Sequence, residues 1–102
     1  MKLRILQIAE LEARDAARWY DDHQEGLGDR FLDEYAAALE KIEENPLWFG
    51  RLETVTTSKE IRRCLLKRFP YYIVYELAQN EVVVLAVAHA RRRPNYWVER
   101  LN

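Results

Sequence analysis

Residues Arg62–His89 read RRCLLKRFPYYIVYELAQNEVVVLAVAH and carry the strongest indication of the architecture. They hold three alternating apolar runs, and turn signals at Phe69–Tyr71 and Gln79–Asn80 separate them. The stretch therefore predicts an antiparallel meander. Its third strand is apolar on both faces, as expected of a strand in the centre of a sheet. The predicted strands are Glu60–Arg68, Tyr71–Leu77 and Glu81–Ala88.

Two helices are predicted before the meander. Residues 9–24 place alanines at helical spacing, with acidic residues near the start, where the helix dipole favours them. Gly26–Gly28 ends this helix, and a second helix begins there and ends at Asn45-Pro46. Because so few residues join the helices, they should form an antiparallel hairpin. The apolar positions of the second helix are Leu27, Phe31, Tyr35, Ala38, Leu39 and Ile42.

A short strand within Leu3–Ile8 completes the element order β-α-α-β-β-β. Helices grouped before most of the strands are typical of the α+β class. We therefore expect the helical hairpin to pack on one face of an antiparallel sheet, with the other face partly open. Residues 47–59 are the least informative, and Leu52–Thr56 is compatible with a short edge strand.

The composition indicates one globular domain over residues 1–102, with 49% hydrophobic and 32% charged residues. No apolar run approaches the roughly 18 residues of a membrane helix, and the start does not resemble a signal peptide. We therefore expect a cytoplasmic protein with no membrane partner. Cys64 alternates with its neighbours as a core residue would, and two distant histidines offer no metal-ligand spacing. No metal or other cofactor is expected.

The charges are divided between the two halves of the chain. Residues 1–50 hold 6 Lys or Arg against 12 Asp or Glu, whereas residues 51–102 hold 10 against 5. The meander delivers His89 and the arginines of Arg91–Arg93 to one edge of the predicted sheet. Such an edge suits a phosphate or carboxylate partner.

A set of short motifs occurs in order along nearly the whole chain. They are Trp19-Tyr20, Gly26–Gly28 with Phe31, Asn45-Pro46, Arg62-Arg63 followed by Phe69–Tyr71 and Tyr75, and His89–Pro94 with Tyr96-Trp97. Together they resemble the RelE/ParE superfamily of toxins, and the His-x-Arg-Arg-x-Pro ending is similar to the ParE-type branch. The resemblance implies a small toxin encoded beside an antitoxin that wraps an extended and helical segment over it, in a possible hetero-oligomer.

The resemblance implies different activities for different branches. ParE-type members poison DNA gyrase, whereas RelE-type members cleave mRNA in the ribosome, and the fold alone does not choose between them. We expect a non-enzymatic inhibitor of gyrase. The alternatives are a ribosome-dependent mRNA endoribonuclease and a non-toxic binding protein of the same fold.

The nuclease alternative requires specific catalytic residues. Metal-free RNA cleavage needs a base, an acid and a cation that converge on one phosphate, and His89, Arg91 and Tyr96 are the candidates. The RelE-type nucleases that this chain resembles place a phosphate-binding arginine where this sequence has Tyr72, which argues against cleavage. Lys67 and Arg68 lie close by in the sequence and could compensate.

The candidate residues for binding the target or the antitoxin are mostly basic and lie in the meander and its tail. They are Arg63, Lys67, Arg68, His89, Arg91, Arg92 and Arg93. Structural roles compete with these assignments, because His89 could be a hydrogen-bonded structural histidine and the arginines could pair with the acidic helices. Most aromatic residues are expected in or beside the core. These are Trp19, Tyr20, Phe31, Tyr35, Phe69, Tyr71, Tyr75, Tyr96 and Trp97.

Overall fold

The structure, a computed structural model, describes residues 1–52 and 58–101. It confirms the predicted order of one strand, two helices and three strands, and a short 3-10 helix follows near the end of the chain. The elements are β1 (Lys2–Ile5), α1 (Gln7–His23), α2 (Leu27–Glu44), β2 (Glu60–Leu65), β3 (Tyr71–Ala78), β4 (Glu81–His89) and the 3-10 helix (Val98–Arg100). The predicted edge strand Leu52–Thr56 falls mostly outside the described residues.

The four strands form one sheet in the order β1-β4-β3-β2. The pairs β2–β3 and β3–β4 are antiparallel, which confirms the predicted meander. The sheet as a whole is mixed, however, because β1 lies parallel to β4, and the expectation of a wholly antiparallel sheet is wrong. The alternation of apolar residues gives a strand its two faces but carries no information about its direction, so the sequence pattern could not reveal this pairing.

The helical hairpin packs on one face of the sheet, as predicted. In α1 the buried positions are all alanines, and in α2 they include Phe31, Tyr35 and Ile42. The alanines allow α1 to lie close to α2 and β4, while the larger side chains of α2 fill the space above the sheet. Leu39 is only half-buried at the margin of this core.

Most of the opposite face of the sheet is covered, so this face is less open than expected, although Arg63 remains exposed on it. A second core forms there around Trp97, whose side chain is almost wholly buried together with Tyr96. The chain after β4 folds back over this face, so the late aromatic residues close a core as predicted. The sheet residues of this second core are Ile61, Val74, Val83, Leu85, Ala86 and Ala88.

A β-bulge in β4 lies beneath this second core. Val74 pairs with Ala86 and Tyr75 pairs with Val84, so Leu85 is the extra residue. Leu85 and Ala86 consequently belong to the same core although they are adjacent in sequence. Beyond the bulge, the alternation resumes with its phase shifted and leads to His89 at the end of the strand.

The prediction that Trp19 lies in or beside the core is wrong. Its side chain is 55% exposed on α1, because the alanine stripe and not the tryptophan faces the sheet. The indole stacks on His23, with 3.8 Å between the ring centroids. The other aromatic residues predicted for the core are buried or half-buried, and so is Cys64. None of the helices in the described ranges is long and apolar enough to cross a membrane.

Candidate functional site

Most of the predicted basic residues lie at one end of the sheet. β2 ends at Leu65, which pairs with Tyr72 at the start of β3, and Tyr71 pairs with His89 at the end of β4. The turn that carries Lys67 and Arg68 and the segment that carries Arg91–Arg93 therefore leave the sheet at the same end. The Ala90 N–H donates to the Pro70 carbonyl oxygen at 2.7 Å, which ties the start of the second segment to the turn before β3.

Helix α2 fixes the conformation of the turn after β2. The backbone N–H groups of Lys67 and Arg68 both donate to Glu34 Oε1, the second at 2.8 Å. A carboxylate that binds two successive N–H groups leaves both cationic side chains directed outward, and both residues are exposed. Glu34 therefore fixes the turn so that the positively charged side chains of Lys67 and Arg68 extend into solvent beside α2.

Arg63 lies on the face of the sheet opposite the helices. Its guanidinium carbon is 5.4 Å from the centroid of the Tyr72 ring, and the residue is exposed. In this chain the tyrosine supports a neighbouring arginine through its ring face.

His89 lies in a cleft of about 640 Å³ between α1 and the ends of β3 and β4. Its Nδ1 accepts a hydrogen bond from the Arg91 backbone N–H at 3.0 Å, and its ring meets the edge of Tyr71 with 5.0 Å between centroids. This arrangement matches the structural role considered for His89 from the sequence, since the ring fixes the backbone at Arg91. The cleft is lined by Glu12, Asp15, Ala16, Trp19, Tyr20, Pro70, Tyr71, Val87, His89 and Arg92.

The three successive arginines differ in their contacts. Arg92 Nη1 is 3.5 Å from Glu12 Oε2, and its guanidinium lies 3.8 Å from the centroid of the Tyr96 ring. Pairing with an acidic helix, considered from the sequence for all three, is therefore seen for Arg92. The side chains of Arg91 and Arg93 are exposed and make no hydrogen bond or ion pair within residues 1–52 and 58–101.

Tyr96 is buried, and its hydroxyl donates to Glu12 Oε2 at 2.7 Å. Burial raises the pKa of this phenol well above its ordinary value, and the hydrogen bond and negative charge of Glu12 raise it further. Arg92 and Arg100 lie against the same ring. Of the three residues that the nuclease alternative requires, the structure places Tyr96 in a closed ionic cluster, while His89 lines the cleft and Arg91 is exposed.

Sequence reasoning missed Glu12 and Arg100, which form the centre of that cluster. Arg100 donates to both oxygens of Glu12 at 3.0 Å and to the Leu85 carbonyl oxygen at 2.9 Å. Burial alone would lower the pKa of the Arg100 guanidinium, but the hydrogen bond and charge of Glu12 outweigh burial and raise it. Glu12 carried only the signal of an acid in the first turns of a helix, and Arg100 lies in a tail without periodicity.

A second surface that sequence reasoning missed is the groove between α2 and the outer edge of β2, called here the α2–β2 groove. Its cavity volume is about 500 Å³, and an adjoining hollow beneath Trp48 continues it. The floor is apolar, and Leu65 at its rim is 62% exposed. Four cations outnumber two carboxylates in its lining. The lining residues are Arg30, Asp33, Glu34, Ala37, Ala38, Lys41, Phe49, Cys64, Leu65, Leu66, Lys67 and Arg68.

Part of the outer edge of β2 lies open beside this groove. The Leu52 N–H donates to the Ile61 carbonyl oxygen, and the Arg63 N–H donates to the Gly50 carbonyl oxygen, so residues 50–52 cover the first half of the strand. Leu65 is the next position whose backbone points outward, and no backbone hydrogen bond from outside β3 reaches it within the described parts of the chain. The described residues contain no group of three or more His, Cys, Asp or Glu side chains that could hold a metal ion.

A helical hairpin packed on a four-stranded sheet is a fold also found in a solved toxin–antitoxin system. A structure described as the chromosomal ParDE TA system from P. aeruginosa matches with a TM-score of 0.68. The match covers 89% of this chain and 97% of that chain. At 16% sequence identity, it shows the shared fold alone. A comparison with curated protein sequences gives no significant match.

The family is shown by the sequence itself. The sequence model described as the ParE toxin of the type II toxin–antitoxin system, parDE, matches residues 3–94. Because this match spans most of the chain, the protein belongs to the ParE toxin family of type II toxin–antitoxin systems.

Proposed function

We propose that this toxin inhibits DNA gyrase by binding it, and that a cognate antitoxin neutralises it. The observation that carries the first part is the guanidinium cluster at the end of the sheet. Arg91 and Arg93 are exposed and unpaired within the described ranges, and Arg92 is held between them by Glu12. Arginines are strong anchors for carboxylates and phosphates at protein and nucleic-acid surfaces, and gyrase bound to DNA offers both.

The geometry of the tyrosine favours binding over cleavage. A ribonuclease of this fold would need Tyr96 to exchange a proton with its substrate, but the hydroxyl is buried and already donates to Glu12. The raised pKa of the phenol makes the anionic base scarce near neutral pH. His89 and Arg91 alone do not supply the acid, base and cation that phosphodiester cleavage requires. Gyrase and the ribosome are both cytoplasmic, so either target implies that the toxin acts in the cytoplasm.

The test is inhibition of gyrase supercoiling by the toxin purified away from its antitoxin. Wild-type toxin should inhibit, and replacing Arg91, Arg92 and Arg93 together by alanine should reduce potency by at least roughly tenfold, since each buried arginine anchor is worth about 2 kcal/mol or more. The matched control replaces Arg14, Arg18 and Arg30 by alanine, which removes the same charge from the helices. Equal losses in both variants would show a non-specific charge effect and refute the proposed surface.

The α2–β2 groove supports the second part of the proposal. An antitoxin segment with apolar anchors and carboxylates would complement its apolar floor and its excess of cations. Leu65 offers an outward backbone position at the edge of the sheet, so an extended stretch could add there as a strand. The groove therefore replaces the sheet face, which the C-terminal residues cover, as the proposed binding surface.

Binding to the product of the neighbouring reading frame tests this surface. Leu65→Glu should weaken the complex by at least roughly tenfold, because it removes an apolar contact and places a carboxylate opposite an acidic partner. Leu11→Glu is the control, since Leu11 is also exposed but lies on α1 outside the groove. Unchanged affinity of Leu65→Glu, or an equal loss in Leu11→Glu, would place the antitoxin elsewhere.

A further inference from the structure

The outer edge of β4 loses its strand partner halfway along. β1 ends at Ile5, and the Leu6 N–H makes the last backbone hydrogen bond, to the Val84 carbonyl oxygen at 3.0 Å. Beyond that point, two side chains from distant elements take the place of a strand. Arg100 Nη1 donates to the Leu85 carbonyl oxygen at 2.9 Å, and the Val87 N–H donates to Glu12 Oε1 at 2.9 Å.

Glu12 connects three parts of the molecule through one carboxylate. It extends from α1, binds the edge of β4 through Val87, and binds the C-terminal segment through Tyr96 and Arg100. The side chains of Glu12 and Arg100 are only 14% and 12% exposed. Detachment of the C-terminal segment would break the contacts of Glu12 with Tyr96 and Arg100 and expose the buried Trp97 side chain to water, so the segment is firmly held.

The same carboxylate restricts Arg92. Its guanidinium is 3.5 Å from Glu12 Oε2 and lies over the Tyr96 ring, which Glu12 itself holds through the hydroxyl. The Arg92 side chain nevertheless remains 53% exposed. It is therefore ordered before any encounter and is still accessible to another molecule. Preordering a long side chain reduces the entropy that binding must otherwise remove.

We propose that Glu12 is a positioning residue for target recognition: it holds the C-terminal segment, residues 90–101, against β4 and so presets Arg92 and its neighbouring arginines for contact with the target protein. This role rests on the proposed function, because it concerns the same arginine cluster. Glu12 lies on α1, and it would contribute to target recognition only through the C-terminal segment that it holds. The α2–β2 groove, built from other residues, should not depend on it.

Hydrogen–deuterium exchange tests the positioning without any reference to activity. Glu12→Gln keeps the size of the side chain but loses the charge and the paired hydrogen bonds to Arg100. Peptides covering residues 95–101 should exchange at least roughly tenfold faster in this variant, while peptides of α2 stay unchanged. The control is Glu10→Gln, two residues earlier on α1, where Glu10 accepts a hydrogen bond from Tyr35 and pairs with Arg14.

Exchange of residues 95–101 in Glu12→Gln at the wild-type rate, or an equal increase in Glu10→Gln, would overturn the inference. If Glu12→Gln does not fold, Tyr96→Phe provides the same measurement, because it removes one hydrogen bond to Glu12 and keeps the ring in the core. It should raise exchange in the same peptides by a smaller factor. Unchanged exchange in Tyr96→Phe would count against Glu12 in that case.

A double-mutant cycle on gyrase inhibition then separates positioning from general destabilisation. Arg92→Ala should reduce potency in the wild-type background but add little to Glu12→Gln, since Arg92 is already displaced there. Glu12→Gln should also keep its affinity for the neighbouring gene's product. Additive losses from the two substitutions would refute positioning. A wild-type toxin without effect on gyrase would refute the proposed function instead, and the exchange experiment alone would then decide the role of Glu12.

Discussion

Gly28 lies at a close approach of the two helices, and Gly28→Ala should therefore destabilise the fold. A Cβ atom on Gly28 would lie 2.4 Å from the Ala17 carbonyl oxygen and 3.1 Å from Asp21. Distances below 3.0 Å essentially never occur for real Cβ atoms, and the obstacle is backbone that cannot rotate away. The helices must separate, and this also strains the hydrogen bond from the Gly28 N–H to Asp21 Oδ1, at 3.1 Å.

The expected size of the effect follows from two opposing terms. Forcing a methyl group into a packed contact costs about 1–3 kcal/mol, and the higher helix propensity of alanine returns up to about 1 kcal/mol. The net loss should be about 1–2 kcal/mol, which lowers the Tm of a domain of this size by roughly 5–15 °C.

Thermal and urea unfolding followed by circular dichroism would measure the loss at Gly28. Gly50→Ala is the matched control, because a Cβ atom there meets nothing within 4 Å. Its free energy of unfolding should stay within about 0.5 kcal/mol of wild type. A Gly28→Ala protein as stable as wild type would show that the helices do not pack at this distance.

Two further predictions concern the cores. Ile42→Ala should cost about 2–5 kcal/mol in urea unfolding because Ile42 is fully buried, whereas Leu39→Ala should cost less because Leu39 is half-buried; the reverse order would mean that α2 is rotated. Burial raises the pKa of Tyr75 from 10.0 to about 12. The neutral phenol therefore stabilises the fold fully below pH 10, and this contribution is lost as the pH rises through 12. The urea midpoint of wild type should fall across this interval more than that of Tyr75→Phe, and parallel curves would contradict the assignment.

Much of the fold could be predicted because strong local patterns and tertiary packing agree. The apolar spacing of Phe31, Tyr35 and Ile42 identified α2, and Asn45 indeed marks its end. The run from Glu81 to His89 is apolar on both faces because it lies between β1 and β3 with a core on each side. A local apolar pattern was therefore sufficient to identify individual strands and helices.

What could not be predicted depends on distant pairings. The direction of β1 is set by its partner β4, and the burial of the second sheet face is set by Trp97, a residue without periodic neighbours. Trp19 is exposed because smaller residues on the same helix already face the sheet.

The candidate site divides in the same way. The placement of His89 and Arg91–Arg93 together at the end of β4 follows from the order of strands and turns, and the sequence predicted it. The contacts of Glu12 with Arg92 and Arg100 join residues 80 or more positions apart, and no local pattern encodes them. The α2–β2 groove likewise depends on how far the hairpin overhangs β2.

The most direct test of the proposed gyrase inhibition compares gyrase supercoiling with toeprinting on translating ribosomes, using wild-type toxin and His89→Gln. His89 holds the Arg91 backbone through Nδ1, and the amide oxygen of glutamine can accept the same hydrogen bond. We predict that both proteins inhibit supercoiling to a similar extent and that neither produces mRNA cuts. Codon-specific cuts by the wild type that disappear in His89→Gln would contradict this prediction and establish the ribonuclease.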